Sequence, residues 1–211
     1  MAKLPPFPRE EYDAAVRSEQ EDRYLAFLGI ERIAGIDVAP LTLRRLAWLN
    51  VARSPFIVGG TVDYAAIIQF LWFVSKDFTL DESVKQAFLE QSLSVDLELA
   101  AKDINDYIDR AFLDCVGGRP SGGIDKTLAC TCATVCAQMA DEPFRMDWER
   151  CMDVPLSVLF QLMRVNGLRN GAPKVNKRSD AVAARHNEKV SAILKREKDR
   201  KIKKEAKNGN N

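Results

Sequence analysis

Large apolar residues recur along the chain at helical spacing, separated by Pro, Gly and Asp. Pro8 with Glu10 and Glu11 behind it predicts a helix start, and Gly29 a stop, with Tyr24, Leu25, Phe27 and Leu28 giving the last turns an apolar side. In IERIAGIDVAPLTL, Gly35, Asp37 and Pro40 punctuate short β-favouring runs, which reads as a small hairpin or an extended connector. Thr42 can cap a helix TLRRLAWLNVARS, with Leu43, Leu46, Ala47 and Asn50 on one face. SPFIVGG reads as a loop. Thr61 and Asp63 then start VDYAAIIQFLWFVS, apolar all round and therefore expected to be surrounded on every side.

The next stretch, Leu80 to Cys115, is charged and helical, either continuous or broken near Ser92 to Ser94, with Thr79 and Ser83 as candidate caps. Its second half places Leu97, Ala101, Ile104, Ile108, Ala111 and Phe112 on one stripe with acids between them. GGRPSGG, Gly117 to Gly123, is a loop signal, and a helix of small residues follows it. After a connection through Pro143, Phe144 and Trp148, Asp153 is the expected cap of VPLSVLFQLMRVNG, with Pro155 in the first turn. The tail beyond Pro173 is rich in helix formers, but its apolar row of Val182, Val190, Ile193 and Leu194 is too thin to fold alone. These elements predict an all-α protein. Residues 1–172 form a compact multi-helix domain, with a small N-terminal hairpin as an option, and residues 173–211 a basic, flexible or helical C-terminal arm.

Charge sharpens that division. Lys174 to Lys207 holds thirteen Lys or Arg against five Asp or Glu, net +8, and the rest holds eighteen against twenty-five, net −7. The overall +1 therefore hides an acidic body with a basic arm, led by Arg196, Lys198, Arg200, Lys201, Lys203 and Lys204. Such an arm can meet nucleic acid, an acidic surface or a second copy of the chain, so self-association is one option. The opening MAKLPPFPREEYD lacks the apolar stretch of an export signal, and the five cysteines are odd in number, which predicts reduced thiols in a cytoplasm. Tyr64 to Val74 reaches only about 16 Å at 1.5 Å per residue, about half a bilayer core, so no membrane span is expected.

The residues offer little chemistry. A single histidine, His186, excludes multi-histidine metal sites and His-based nucleophile activation within the body. Cys130, Cys132 and Cys136 do not converge as zinc ligands, because Cys130 would sit roughly 200° round the helix from the others. GGRPSGGIDKT departs from a phosphate loop, since Ile124 and Asp125 separate Gly123 from Lys126. Asp103, Asp106 and Asp109 alternate with Lys102 and Arg110 and read as a solvated face, not as paired catalytic acids. No catalytic residue, metal or cofactor is expected. Apolar surface remains: Phe70, Trp72, Phe73, Leu156, Phe160 and Met163 are the candidate lining of a groove for a partner's apolar helix.

Three stretches, GIDVAPLTLRRLAWLNVARSPFIVGG, VDYAAIIQFLWFVS and MDVPLSVLFQLMR, together resemble small helical proteins of tailed bacteriophages and prophages, of the tail-assembly-chaperone type. The resemblance covers Ile30 to Arg164. It implies a non-enzymatic role in virion morphogenesis, in the host bacterial cytoplasm, keeping the coiled-coil-prone tape measure protein soluble until the tail tube encloses it. The rival expectations are a structural head–tail or tail accessory protein and a nucleic-acid-binding protein acting through the basic tail.

Overall fold

The computed structural model describes residues 4–29, 31–115, 130–172 and 177–208. Among these residues lie ten helices and a single two-stranded sheet, so the chain is all-α with a small hairpin. It forms two compact units, one made of Met1–Glu21 with Pro173–Asn211 and the other of Asp22–Ala172. The GGRPSGG segment lies outside the described residues.

Helix α1 (Arg9–Leu28) carries Glu10 and Glu11 in its first turn, where carboxylates suit the positive end of the helix dipole. Gly29, at φ 62°, ends it in the left-handed conformation. Strands β1 (Glu31–Ile33) and β2 (Ile36–Val38) pair antiparallel, with Ile33 opposite Ile36. Ala34 and Gly35 form the two-residue turn, both with positive φ, as right-handed strand twist demands. Ala34 is unusual there. Its N–H donates to the Asp103 carboxylate at 3.2 Å, which ties the turn to helix α6 (Leu97–Ala111). Asp103 is thus half-buried and structural, while Asp106 and Asp109 stay exposed.

Helix α2 (Leu43–Val51) starts where Thr42 accepts from the Arg45 N–H. It buries Leu43, Leu46 and Leu49, whereas Asn50 is exposed and donates back to the Leu46 carbonyl. The segment expected as a loop contains a short helix, α3 (Pro55–Val58). Proline at the first helical position has the required φ already, and Gly59 ends the turn after four residues. Helix α4 (Tyr64–Val74) is capped by Asp63 and buries Ala66, Ile67, Ile68, Phe70, Leu71, Trp72 and Val74. It is not surrounded on every side: Tyr64, Ala65 and Gln69 are exposed.

The charged stretch is two helices, α5 (Glu82–Ser92) and α6, and aspartates start both. Asp81 caps α5 in place of Thr79 or Ser83, and Asp96 caps α6 by accepting from both Glu98 and Leu99. Helix α7 (Thr131–Ala140) and helix α8 (Trp148–Asp153) lead to α9 (Leu156–Arg169). Asp153 does not cap α9. It closes α8 and pairs with Arg44 at 2.6 Å, while Pro155 precedes α9 without a side-chain cap. Helix α10 (Lys177–Asn208) makes the arm helical.

The core of the larger unit joins α2, α4, α6 and α9. Leu43, Leu46, Leu49, Phe70, Leu71, Ile104, Ile108, Leu156 and Leu159 are all at 0% exposure. Phe70 stands edge-on to both Phe56 and Tyr107, with ring centroids 5.3 and 6.1 Å apart. Burying one such ring is worth about 2–3 kcal/mol. The Tyr107 hydroxyl, itself fully buried, donates to the Ala39 carbonyl at 2.8 Å, so the core carries its polar atom satisfied.

Candidate functional site: an aromatic groove

The most developed concavity lies on the open side of α4. Its volume is about 540 Å³, and its walls come from α2 (Trp48), α4 (Tyr64, Ile68, Trp72, Phe73), the 75–81 connection (Phe78, Leu80) and α5 (Leu89). Phe78 is its centre, within 5.3–6.1 Å of the Phe73, Trp72 and Trp48 rings. Trp48 also stacks on Phe73 at 6.2 Å with an interplanar angle of 10°. Offset and edge-on contacts of this kind add to area burial and leave rings with few alternative positions. The groove is therefore pre-formed.

Its geometry depends on how α4 ends. Arg45 of α2 reaches across and donates to the Phe73 and Ser75 carbonyls at 2.6 and 2.9 Å, satisfying acceptors left open at the helix end. Burial is the main influence on that guanidinium and pulls its pKa down. Strand β2 pairs with the residue after α4 through the Val38–Ser75 bridge, and the Ala39 N–H donates to the Val74 carbonyl at 2.9 Å. The chain leaving α4 is thus pinned on two sides, which turns Phe78 back onto Trp48 and Trp72.

Polar groups are confined to the rim. Glu82 and Lys85 pair with each other at 2.9 Å, and Gln69, Thr79 and the Tyr64 hydroxyl add further polar groups. What the groove chiefly offers is apolar area. Leu80 at 79% exposure, Tyr64 at 46% and Trp48 at 38% stand at its mouth.

The sequence-expected lining divides. Trp72 and Phe73 line the groove. Phe70, Leu156 and Phe160 are core residues instead, at 0, 0 and 4% exposure, because helix packing consumes them. Met163 is half-buried against the same core, away from the groove lining. Trp48, Phe78 and Leu80 complete the site and were not singled out from sequence. They come from two separate segments, α2 and the 75–81 connection, and only tertiary packing brings these against α4. In the arm, Arg196 and Lys198 are exposed, while the side chains of Arg200, Lys201, Lys203 and Lys204 lie outside the described residues.

Two other clusters bear on chemistry. Glu31, Asp22, Arg110 and Tyr107 line a cavity of about 170 Å³. Burial raises the Glu31 carboxyl to about 7, Arg110 at 3.8 Å opposes the shift, and the neighbouring Asp22 adds to it. Two cysteines are held as thiols: burial pushes the Cys132 thiol up to about 11 and Cys151 up to about 12, the latter aided by the Cys136 thiol beside it. The Cys132 thiol donates to the Leu43 carbonyl at 3.4 Å. Among the described residues, His, Cys, Asp and Glu do not gather into a set of three or more that could hold a metal ion. Among the same residues, no helix is long and apolar enough to cross a membrane.

Comparison with protein families, curated proteins and solved structures finds no match.

Proposed function

We propose that the chain is a non-enzymatic binding protein that receives an apolar helix of a partner in the groove over α4. The observation that carries this reading is the groove itself: a pre-formed aromatic concavity whose charged lining residues Glu82 and Lys85 neutralise each other. A helix laid in such a groove anchors side chains at i, i+3, i+4 and i+7 and leaves its polar face in water. At about 540 Å³ the groove falls within the roughly 300–1,000 Å³ of ligand pockets, enough for a few large side chains and too little for a whole helix.

The sequence resemblance supplies the partner class. A tail assembly chaperone acts on a tape measure protein, whose long apolar stripes are an aggregation hazard before assembly. Covering such stripes calls for open apolar surface on a body that stays in solution, and the sequence outside the arm carries a net charge of −7. The function is accordingly a phage tail assembly chaperone that holds the tape measure protein in the host cytoplasm.

The test is co-expression with a tape measure protein from the genome that encodes this chain, comparing the natural protein with Leu80→Asp. Leu80 is exposed, so the substitution leaves the fold intact while placing a charge at the groove mouth. The natural protein should shift the tape measure protein into the soluble fraction, and Leu80→Asp should lose at least about tenfold in affinity for it. Equal rescue by both proteins would remove the groove from the account, and no rescue by either would remove the chaperone role.

A further inference from the structure

Helix α10 pairs with the first part of α1 inside the smaller unit. The Arg178 guanidinium donates to the Ser18 hydroxyl at 2.6 Å, and Arg185 donates to the Glu11 carboxylate at 2.7 Å. Phe7 meets the His186 ring edge-on at 5.2 Å, and Val182 is buried. Position 178 lies by 18 and position 185 by 11, so the two helices run antiparallel. Past about residue 190, α10 therefore continues beyond the start of α1 at Arg9.

Half of the basic residues of that continuation gather on one side of the helix. At about 100° per residue, the helix register places positions 189, 196, 200, 203 and 207 within about 60° of one another, and all five are Lys or Arg. Arg178 and Arg185, already committed to α1, fall on the same arc. Glu188, Glu197, Asp199 and Glu205 all fall outside it. The stripe spans about 27 Å from Lys189 to Lys207.

We infer that this stripe is a sequence-independent binding site for double-stranded nucleic acid, tracking its phosphate backbone. One observation favours that occupant over an acidic protein helix. The apolar row of α10 ends at Ile193 and Leu194 and only Ile202 follows it, so a protein helix docked further along would have no continuous seam to bury, and exposed ion pairs alone bind weakly. A phosphate backbone needs no seam, because each phosphate neutralised releases condensed counterions. Duplex is favoured over single strand because no Phe, Tyr or Trp follows Phe160, and the arm's one histidine ring, His186, is already engaged by Phe7. The site is independent of the groove and of its partner.

The experiment measures fluorescence anisotropy of a labelled duplex of arbitrary sequence with the full chain, from about 50 to 200 mM salt. Five phosphate contacts give an expected slope of log K against log salt of about −4 to −5. Two variants of equal net charge locate the site. Arg196→Gln, Arg200→Gln, Lys203→Gln and Lys207→Gln together remove the stripe, and Lys195→Gln, Lys198→Gln, Lys201→Gln and Lys204→Gln together remove four bases off it. The first should weaken binding by at least about tenfold and flatten the slope, and the second by no more than about threefold. Circular dichroism of both should match the natural chain, since Gln is a good helix former. Equal loss in the two variants, absence of salt-sensitive duplex binding by the full chain, or equally tight binding of a poly-glutamate peptide would overturn the inference.

Discussion

Glu31 is the residue whose chemistry is shifted from its ordinary range to the neighbourhood of neutral pH. Its carboxyl is raised from 4.5 to about 7 in the folded chain, chiefly by burial, with Arg110 opposing and Asp22 and Tyr107 facing it across the same cavity. A raised folded value means the native state holds the proton more tightly than the unfolded chain. Stability should therefore be greatest below about pH 4.5 with respect to this group and fall as pH rises to about 7, by on the order of 2–3 kcal/mol. Glu31→Gln should flatten that slope and raise stability at pH 8 by about 1–2 kcal/mol, the loss of the Arg110 partner offsetting the rest. Urea unfolding of both proteins at pH 5 and pH 8 checks it, and an unchanged slope in the variant would assign the pH dependence elsewhere.

At the scale of elements, aspartate does the work of starting helices. Asp63, Asp81, Asp96 and Asp147 each accept from a backbone N–H two or three residues ahead. Asp96 serves two at once, both at 3.0 Å, so Asp96→Ala should cost about 1–2 kcal/mol. Thermal unfolding reads this directly, with Ser94→Ala as the control that should change little. These caps also mark where the sequence was transparent. Asp63 and Thr42 stood directly before strongly apolar helices and were readable. Thr79 and Ser83 competed with Asp81 inside one polar stretch, and propensity could not choose between them. Asp153 looked like a cap because Pro155 follows it, yet tertiary pairing with Arg44 draws it the other way. Helix α3 was hidden because proline at one end and two glycines at the other leave only a single turn between them. For the groove, Trp72 and Phe73 were legible as part of an apolar helix. That Phe73 stays half-open while Phe70 does not depends on where α2 and Phe78 lie, which no local pattern records.

At the scale of the larger unit, one carboxylate gathers three distant segments. Asp114, its side chain only 3% exposed, accepts from Arg23 of α1 at 3.0 Å and also from Arg164 of α9. The sequence separations are 91 and 50 residues. Removing the acceptor strands two part-buried guanidinium groups, so Asp114→Ala should cost about 3 kcal/mol. Asp114→Asn, which keeps one acceptor oxygen, should cost less than half of that in chemical denaturation. If both substitutions were neutral, the clasp would be a surface ion pair of no consequence.

The N-termini of α2 and α9 are stitched together by the Thr42–Pro155 bridge and by the Leu156 N–H on the Leu41 carbonyl at 2.8 Å. On the ribosome this stitch cannot close until position 156 has been made, 67 residues after Leu89 completes the aromatic wall. At about 5–20 residues per second, that leaves roughly 3–13 seconds in which the nascent chain carries the greasy half of its future core without the helix that seals it. Translation speed between Leu89 and Leu156 is therefore a quantity to which the yield of native protein should be sensitive.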